Sequence, residues 1–130
     1  MRRYGASPPA PFSGAFGGKS DGEAIGTVNS LDKGDFRQNN PRYAGHNLAR
    51  NRDLFASFMD IAKELNVTAA QLSLAWLLHQ GEDIIPIPGT RRFERVDENA
   101  DASAIKLNSA TLQRINELAR PGLAKGATLV

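Results

Sequence analysis

The chain has no cysteine, so it holds no disulfide, no thiolate metal ligand and no cysteine nucleophile. It also has no uninterrupted apolar run near the roughly 20 residues that a membrane-spanning helix needs. The basic residues at its start are not followed by the apolar stretch of a signal peptide. These absences predict a soluble cytoplasmic protein with no membrane partner.

An excess of charge of one sign is nearly absent as well. The 16 lysines and arginines oppose 14 aspartates and glutamates, which leaves a formal charge of +2 with no block of like sign. Interspersed charge of this kind does not indicate a nucleic-acid surface and favours a small-molecule partner. The 130 residues, of which 41% are apolar, suffice for one domain with a modest core.

The first half of the chain contains one stretch with helical spacing. Residues 48–65 are predicted to form an amphipathic helix, and Asn66 is predicted to end it. Its apolar face consists of Leu54, Phe58, Ile61 and Leu65. Thr68 and Gln71 then form a capping box, in which the Thr68 hydroxyl accepts from the Gln71 amide while the Gln71 side chain reaches back.

A second helix is expected to run from this box to about His79. It is apolar on all sides, which predicts burial between a sheet and neighbouring helices with Trp76 in the core. Gly81 suits the left-handed cap, and His79 is expected to meet carbonyls at the helix end rather than act as a base. Asn108 or Ser109 is predicted to begin a last helix. Its apolar face consists of Leu112, Ile115 and Leu118 or Ala119.

Residues 84–102 organise the chain. The isoleucine-rich run 84–87 predicts a short parallel strand covered on both faces, which ends at two prolines. Gly89 permits a sharp turn, and Thr90 is expected to cap a helix that begins at Arg91.

This helix start predicts a phosphate pocket. Its free N–H groups and positive dipole end favour an anion beside Arg91, Arg92 and Arg95, and the guanidinium groups of Arg91 and Arg95 are placed to converge on one phosphate. Glu98 and Asn99, one turn later, are expected to accept and donate hydrogen bonds to a purine edge. The alternative is that the arginines form a solvated face and the turn only starts a helix.

These residues resemble the cofactor-binding end of the aldo/keto reductase family, whose last barrel strand and following helix carry Ile-Pro-Gly-(Ser/Thr), Arg and Glu-Asn-x-x-Ala. The matching segments are Asp35-Phe36-Arg37, Asn40-Pro41-Arg42-Tyr43, Asn47-Leu48, Thr68 to Trp76, Ile87-Pro88-Gly89-Thr90, Arg91, Arg95, Glu98-Asn99, Ala102 and Leu107 to Leu118. The resemblance implies NADP as cofactor, because a basic pocket serves the extra phosphate that NAD lacks. It implies Gly89, Thr90, Arg91 and Arg95 near the 2′-phosphate, and Glu98 with Asn99 near adenine.

The catalytic residues of the family find no match in this sequence. In the resembling proteins a Tyr, supported by Lys, Asp and His, gives a proton to an aldehyde or ketone that accepts hydride from NADPH. Tyr4 and Tyr43 lack the family's catalytic surroundings, and His46 and His79 fall outside its histidine motif. No catalytic residue and no metal ligand is therefore assigned.

Length predicts an incomplete fold. The family's α/β fold is a (β/α)8 TIM barrel of about 250 residues, and the chain supplies roughly half. We expect the C-terminal part of such a barrel, mostly helical with one or two short parallel strands. Residues 1–34 are expected to form a flexible or poorly matched leader, 35–120 the reductase-like region and 121–130 a loose tail. The composition of the leader is consistent with a linker, or with sequence altered by truncation or a shifted reading frame, and does not decide between them.

Three functions remain open from the sequence. The first is the C-terminal portion of an NADP-dependent aldo/keto reductase that lacks the catalytic tetrad and acts on a small carbonyl substrate only with the missing half. The second is a non-catalytic half barrel that self-associates through its open edge or pairs with an N-terminal half. The third is a standalone helical nucleotide-binding or regulatory protein.

Overall fold

The computed structural model describes residue 41 and residues 45–90, 92–120 and 122–123, and every structural statement below refers to these. They form four α-helices and one short 3₁₀ helix. In chain order these are α1 (Gly45–Glu64), α2 (Ala69–Leu78), α3 (Phe93–Asp101), the 3₁₀ helix (Ala102–Ala104) and α4 (Ser109–Leu118). The predicted leader, and the tail apart from Gly122 and Leu123, lie outside the described residues.

The predicted end of α1 is confirmed. Asn66 has a φ of 54°, in the left-handed region that asparagine tolerates better than most residues. The Asn66 amide donates to the carbonyl of Lys63, and the Val67 amide donates to that of Ala62, each at 3.0 Å. The turn therefore satisfies carbonyls at the end of α1, and the chain reverses direction there before α2.

The capping box of α2 is also confirmed. The Thr68 hydroxyl accepts from the Gln71 amide at 3.1 Å, and the Thr68 amide donates to Gln71 Oε1 at 3.1 Å. At the other end the prediction for Gly81 is wrong, because Gly81 has no positive φ and the cap residue is His79 in the right-handed region. The amides of His79 and Gln80, rather than a glycine turn, satisfy the last carbonyls of α2.

The His79 ring joins the end of α2 to the segment before α4. Its Nε2 lies 3.3 Å from the Leu107 amide nitrogen, and its Nδ1 lies 2.7 Å from the Ala75 carbonyl oxygen. An amide N–H only donates, so Nε2 accepts and Nδ1 carries the proton that it donates to Ala75. This position agrees with the structural role expected from the sequence.

The core lies between α1, α2 and α4. Its largest fully buried side chains are Phe58, Ile61, Leu72 and Ile115. Trp76 is 9% exposed and donates its indole N–H to Asn116 Oδ1 at 2.8 Å, so burial of the ring leaves its polar atom paired. The outer face of α2 is less covered than expected, since Leu78 is 37% exposed.

The predicted strand at residues 84–87 is wrong for the described part of the chain. The segment has no regular secondary structure, and the side chains of Ile85 and Ile87 are 83% and 91% exposed. A strand is stabilised by ladder hydrogen bonds and by cover on its faces. The described residues include no neighbouring strand, so neither is present. Within the described ranges the architecture is therefore helical, and the one or two short parallel strands expected from the sequence are not observed there.

The last helix begins as predicted. Asn108 is its N-cap, with Oδ1 accepting from the Thr111 amide at 2.8 Å, and Ile115 of its apolar face is fully buried. Arg114 of α4 forms two hydrogen bonds with the Glu64 carboxylate at the end of α1, at 2.6 and 2.9 Å. This side-chain hydrogen bonding lowers the pKa of Glu64 and raises that of Arg114.

The Glu64–Arg114 pair gives stability a dependence on pH. Because folding lowers the pKa of Glu64, the pair's contribution is complete above the unfolded pKa and is lost as pH falls through the folded pKa. We expect Glu64→Gln to remove this small part of the acid-induced decrease in the free energy of unfolding. Urea unfolding from about pH 7 to about pH 3 measures it.

Asp60→Asn is the matched control for this prediction. It removes a carboxylate from the same helix, whose exposed partner Lys63 lies 3.4 Å away on the same face. An acid dependence that is identical in the wild type and in Glu64→Gln would contradict the assignment.

Candidate functional site

The loop before α3 brings Thr90 against the backbone of Arg92. Thr90 Oγ1 accepts from the Arg92 amide at 3.1 Å and donates to the Arg92 carbonyl at 3.3 Å. The expectation that Thr90 caps a helix beginning at Arg91 is therefore wrong. Arg92, in extended backbone, is the N-cap, and α3 begins at Phe93. A threonine bonds its own neighbouring backbone as readily as a helix start, and here the local turn prevails.

The N-terminus of α3 remains a favourable position for an anion. Arg92 makes no side-chain capping hydrogen bond, so no side chain at the N-cap competes for the first-turn amides. Glu94, in the first turn, already complements part of the positive end of the helix dipole. An anion at this end gains from the amides and must tolerate the nearby carboxylate.

The structure tests the prediction for Gly89 but not the prediction for Arg91. Gly89 is exposed, has no positive φ and has no atom within 4 Å of the position a Cβ would take, so the sharp turn that required glycine is not observed. Arg91 lies outside the described residues. Convergence of the Arg91 and Arg95 side chains on one point therefore stays a prediction.

Glu98 is the centre of the polar contacts on α3. Its Oε2 accepts from Arg95 Nη1 at 2.5 Å, and its Oε1 accepts from the Thr68 hydroxyl at 2.6 Å. Its main-chain carbonyl accepts from Gln71 Nε2 at 3.2 Å. Thr68 and Gln71 therefore join the start of α2 to Glu98, and Arg95 contacts the same glutamate from within α3.

Burial around Glu98 makes this ion pair more rigid than a typical surface pair. The Glu98 side chain is 16% exposed and the Arg95 side chain 30% exposed. Water screens a partly covered pair less than an exposed one, and the carboxylate is held from two sides. The arrangement fixes where the Arg95 guanidinium lies while leaving part of that side chain in contact with solvent.

The site retains capacity for a ligand beside this pair. A carboxylate offers about four lone-pair directions, and two are used by Thr68 and Arg95 in this geometry. Glu98 is therefore able to accept a further hydrogen bond, such as one from an exocyclic amino group. Asn99 is half-buried next to it, and its contact with a purine stays a prediction.

Thr68 and Gln71 are the residues that the sequence reasoning missed. The sequence predicts them as the capping box of α2 and as part of a segment that matches the family, without a role at this site. The contact between Thr68 and Glu98 spans 30 positions of sequence, and no local pattern indicates it. One signal was present, since a capping glutamine uses its oxygen for the cap and leaves an amide NH₂ to donate elsewhere.

Both histidines of the described residues lie at helix ends, His79 at the C-cap of α2 and His46 at the start of α1. Both ring nitrogens of His79 are hydrogen-bonded to the backbone, one to Ala75 and one to Leu107. The His46 side chain is exposed. Tyr4 and Tyr43 lie outside the described residues.

Among the helices described here, none is both long and apolar enough to cross a membrane.

Comparison with known proteins identifies the class. Residues 17–120 match the model of the aldo/keto reductase family, which is most of the chain and includes every residue of the candidate site. The chain therefore belongs to the aldo/keto reductase family, as its motifs predict. Membership implies a (β/α)8 barrel for the whole protein.

Two relatives illustrate the similarity. The chain is 48% identical over 94 residues to the aldo-keto reductase yakc of Schizosaccharomyces pombe, a protein whose name specifies NADP(+). It is 40% identical over 114 residues to the probable aldo-keto reductase 1 of Glycine max. The matches cover 72% and 87% of this chain but only 28% and 31% of the relatives. No solved structure matches the chain significantly.

Proposed function

We propose that this chain is the C-terminal portion of an NADP-dependent aldo/keto reductase and that it supplies the adenosine-phosphate end of the cofactor site. Family membership and the NADP(+) in the name of one relative support the cofactor. The observation that carries the proposal is the position of the Arg95 guanidinium. Arg95 is the third residue of α3, and Glu98 holds its side chain.

The residues present fit a phosphate. Arginine presents several N–H donors in a planar fork that matches phosphate oxygens, and the N-terminus of α3 adds backbone amides. The open space at Gly89 permits close approach of a ligand to the backbone. In this proposal Gly89, Thr90, Arg91 and Arg95 hold the 2′-phosphate, while Glu98 and Asn99 contact adenine.

The contribution of this chain is binding rather than proton transfer. When bound, NADPH supplies the hydride that reduces an aldehyde or ketone. The family's tyrosine proton donor and its Lys, Asp and His partners are assigned to no residue of this sequence. The chain orients the adenosine end of the cofactor, and a carbonyl substrate is turned over only when the remaining part of the barrel is present.

A second candidate function is self-association, which the exposed apolar side chains favour. Ile85 and Ile87 are 83% and 91% exposed, and Phe93 and Val96, three residues apart on α3, are 77% and 51% exposed. Scattered apolar residues are ordinary, but two such pairs around one loop are typical of a surface that a partner covers. In this reading a second copy of the chain, or a separate N-terminal half, covers them.

Cofactor selectivity tests the first proposal. Arg95→Ala is expected to weaken NADP binding about 10- to 100-fold, since a hydrogen bond to a charged group contributes about 1.5–3 kcal/mol. NAD binding should change little, because NAD has no 2′-phosphate. Isothermal titration of both nucleotides with the full chain measures the ratio of the NADP and NAD dissociation constants.

Arg114→Ala is the matched control, because Arg114 also pairs with a glutamate but lies on α4. Equal weak binding of both nucleotides to all three proteins would contradict the phosphate site.

Catalytic activity tests the assignment of roles. The purified chain is expected to oxidise no NADPH in the presence of aldehydes or ketones, because it lacks the proton donor of the family. Absorbance of NADPH with a panel of carbonyl compounds measures this. Turnover by the wild type that disappears in Tyr43→Phe would show that the chain carries its own acid.

Sizing separates the second candidate from the first. Under self-association the apparent mass rises with protein concentration, and the double variant Ile85→Asp, Ile87→Asp is expected to remain monomeric because a charge opposes burial of the loop. Leu123→Asp, at an apolar residue that is 41% exposed and far along the chain, is the control. A compact monomer at every concentration would exclude self-association, and would leave only a separate N-terminal half as the partner that covers these side chains.

A further inference from the structure

The hydrogen-bond roles of the Thr68 hydroxyl are fixed by its two partners. Its oxygen accepts from the Gln71 amide at 3.1 Å as the cap of α2, and its single proton is donated to Glu98 Oε1 at 2.6 Å. That distance is in the range of charge-assisted O–H···O⁻ bonds, which are stronger than neutral ones. The cap of one helix thus fixes a carboxylate of another.

Gln71 completes the connection. Its Oε1 accepts from the Thr68 amide at 3.1 Å, and its Nε2 donates to the Glu98 main-chain carbonyl at 3.2 Å. Thr68 therefore restrains the Glu98 carboxylate while Gln71 restrains the Glu98 backbone. With both held, rotation of the carboxylate is limited, and Oε2 presents one direction to the Arg95 guanidinium.

We propose that Thr68 and Gln71 are positioning residues that set the preference for NADP over NAD by acting through Glu98 on Arg95. This inference rests on the proposed function, because it takes the 2′-phosphate as the ligand of Arg95. Neither residue needs to touch the cofactor. An arginine already held in its bound orientation loses less conformational entropy when it binds phosphate than one that must first be ordered.

Thr68→Val tests the inference, because valine keeps the shape of threonine and lacks the hydroxyl. Loss of one positioning hydrogen bond is expected to weaken NADP binding about 3- to 10-fold and to leave NAD binding unchanged. Thr68→Ser restores the hydroxyl and is expected to restore the ratio of the two dissociation constants. Gln71→Leu should change the ratio in the same direction, since it removes the bond to the Glu98 carbonyl.

A cap control separates positioning from stability. Thr68→Val also removes the side-chain N-cap of α2, which lowers the stability of the fold. Asn108→Ala removes the N-cap of α4, a bond of 2.8 Å to the Thr111 amide. It should lower Tm to a similar extent without changing the nucleotide ratio. The inference is overturned if both variants change the ratio equally, or if Thr68→Val leaves it unchanged.

A measurement without nucleotide distinguishes failure of this inference from failure of the proposed function. In NMR spectra of the ligand-free chain, restricted rotation of the Arg95 guanidinium gives separate Nη signals, which are expected in the wild type and averaged in Thr68→Val. Averaged signals in both proteins would overturn the positioning role. Separate signals in the wild type together with no detectable NADP binding would retain the positioning and reject the proposed function.

Discussion

The hydrogen-bonded carboxylate of Glu98 is the interaction on which the candidate site depends. It lies where the start of α2 meets α3, and it joins a helix cap to an arginine. A carboxylate this little exposed is stabilised by its partners, since removal of its donors leaves a charge with little access to water. The carboxylate that orients Arg95 is also bonded to Thr68 of the α2 cap, so the proposed phosphate recognition and the packing of α3 against α2 depend on the same residue.

Local features were predictable from sequence because neighbouring residues determine them. Asn66, the Thr68 capping box and the Asn108 cap each depend on a few adjacent positions, and the structure has all three. Thr90 and Gly81 show the limit of such reasoning. Each suits more than one local geometry, and the competing contacts of Arg92 and His79 decide between them.

Nonlocal features were not predictable in the same way. The bond from Thr68 to Glu98 crosses 30 positions, and residues 84–87 become a strand only when neighbouring strands supply hydrogen bonds and cover. The isoleucines there follow the composition of a buried strand, while Ile87 is 91% exposed. The matching segments cover only 28% and 31% of the two relatives, so the sequence pattern reflects an environment that the described residues alone do not provide.

The two prolines around Ile87 restrict how that environment is supplied. In an extended chain the amides of alternate residues point to the same side, and Pro86 and Pro88 have no N–H. One edge of this segment therefore offers carbonyl acceptors alone, while the other offers the amides of Ile85 and Ile87 as well. A neighbouring strand can form both N–H and C=O hydrogen bonds with only one edge of the segment. The segment therefore favours pairing on that edge and resists growth into an aggregate that pairs on both edges.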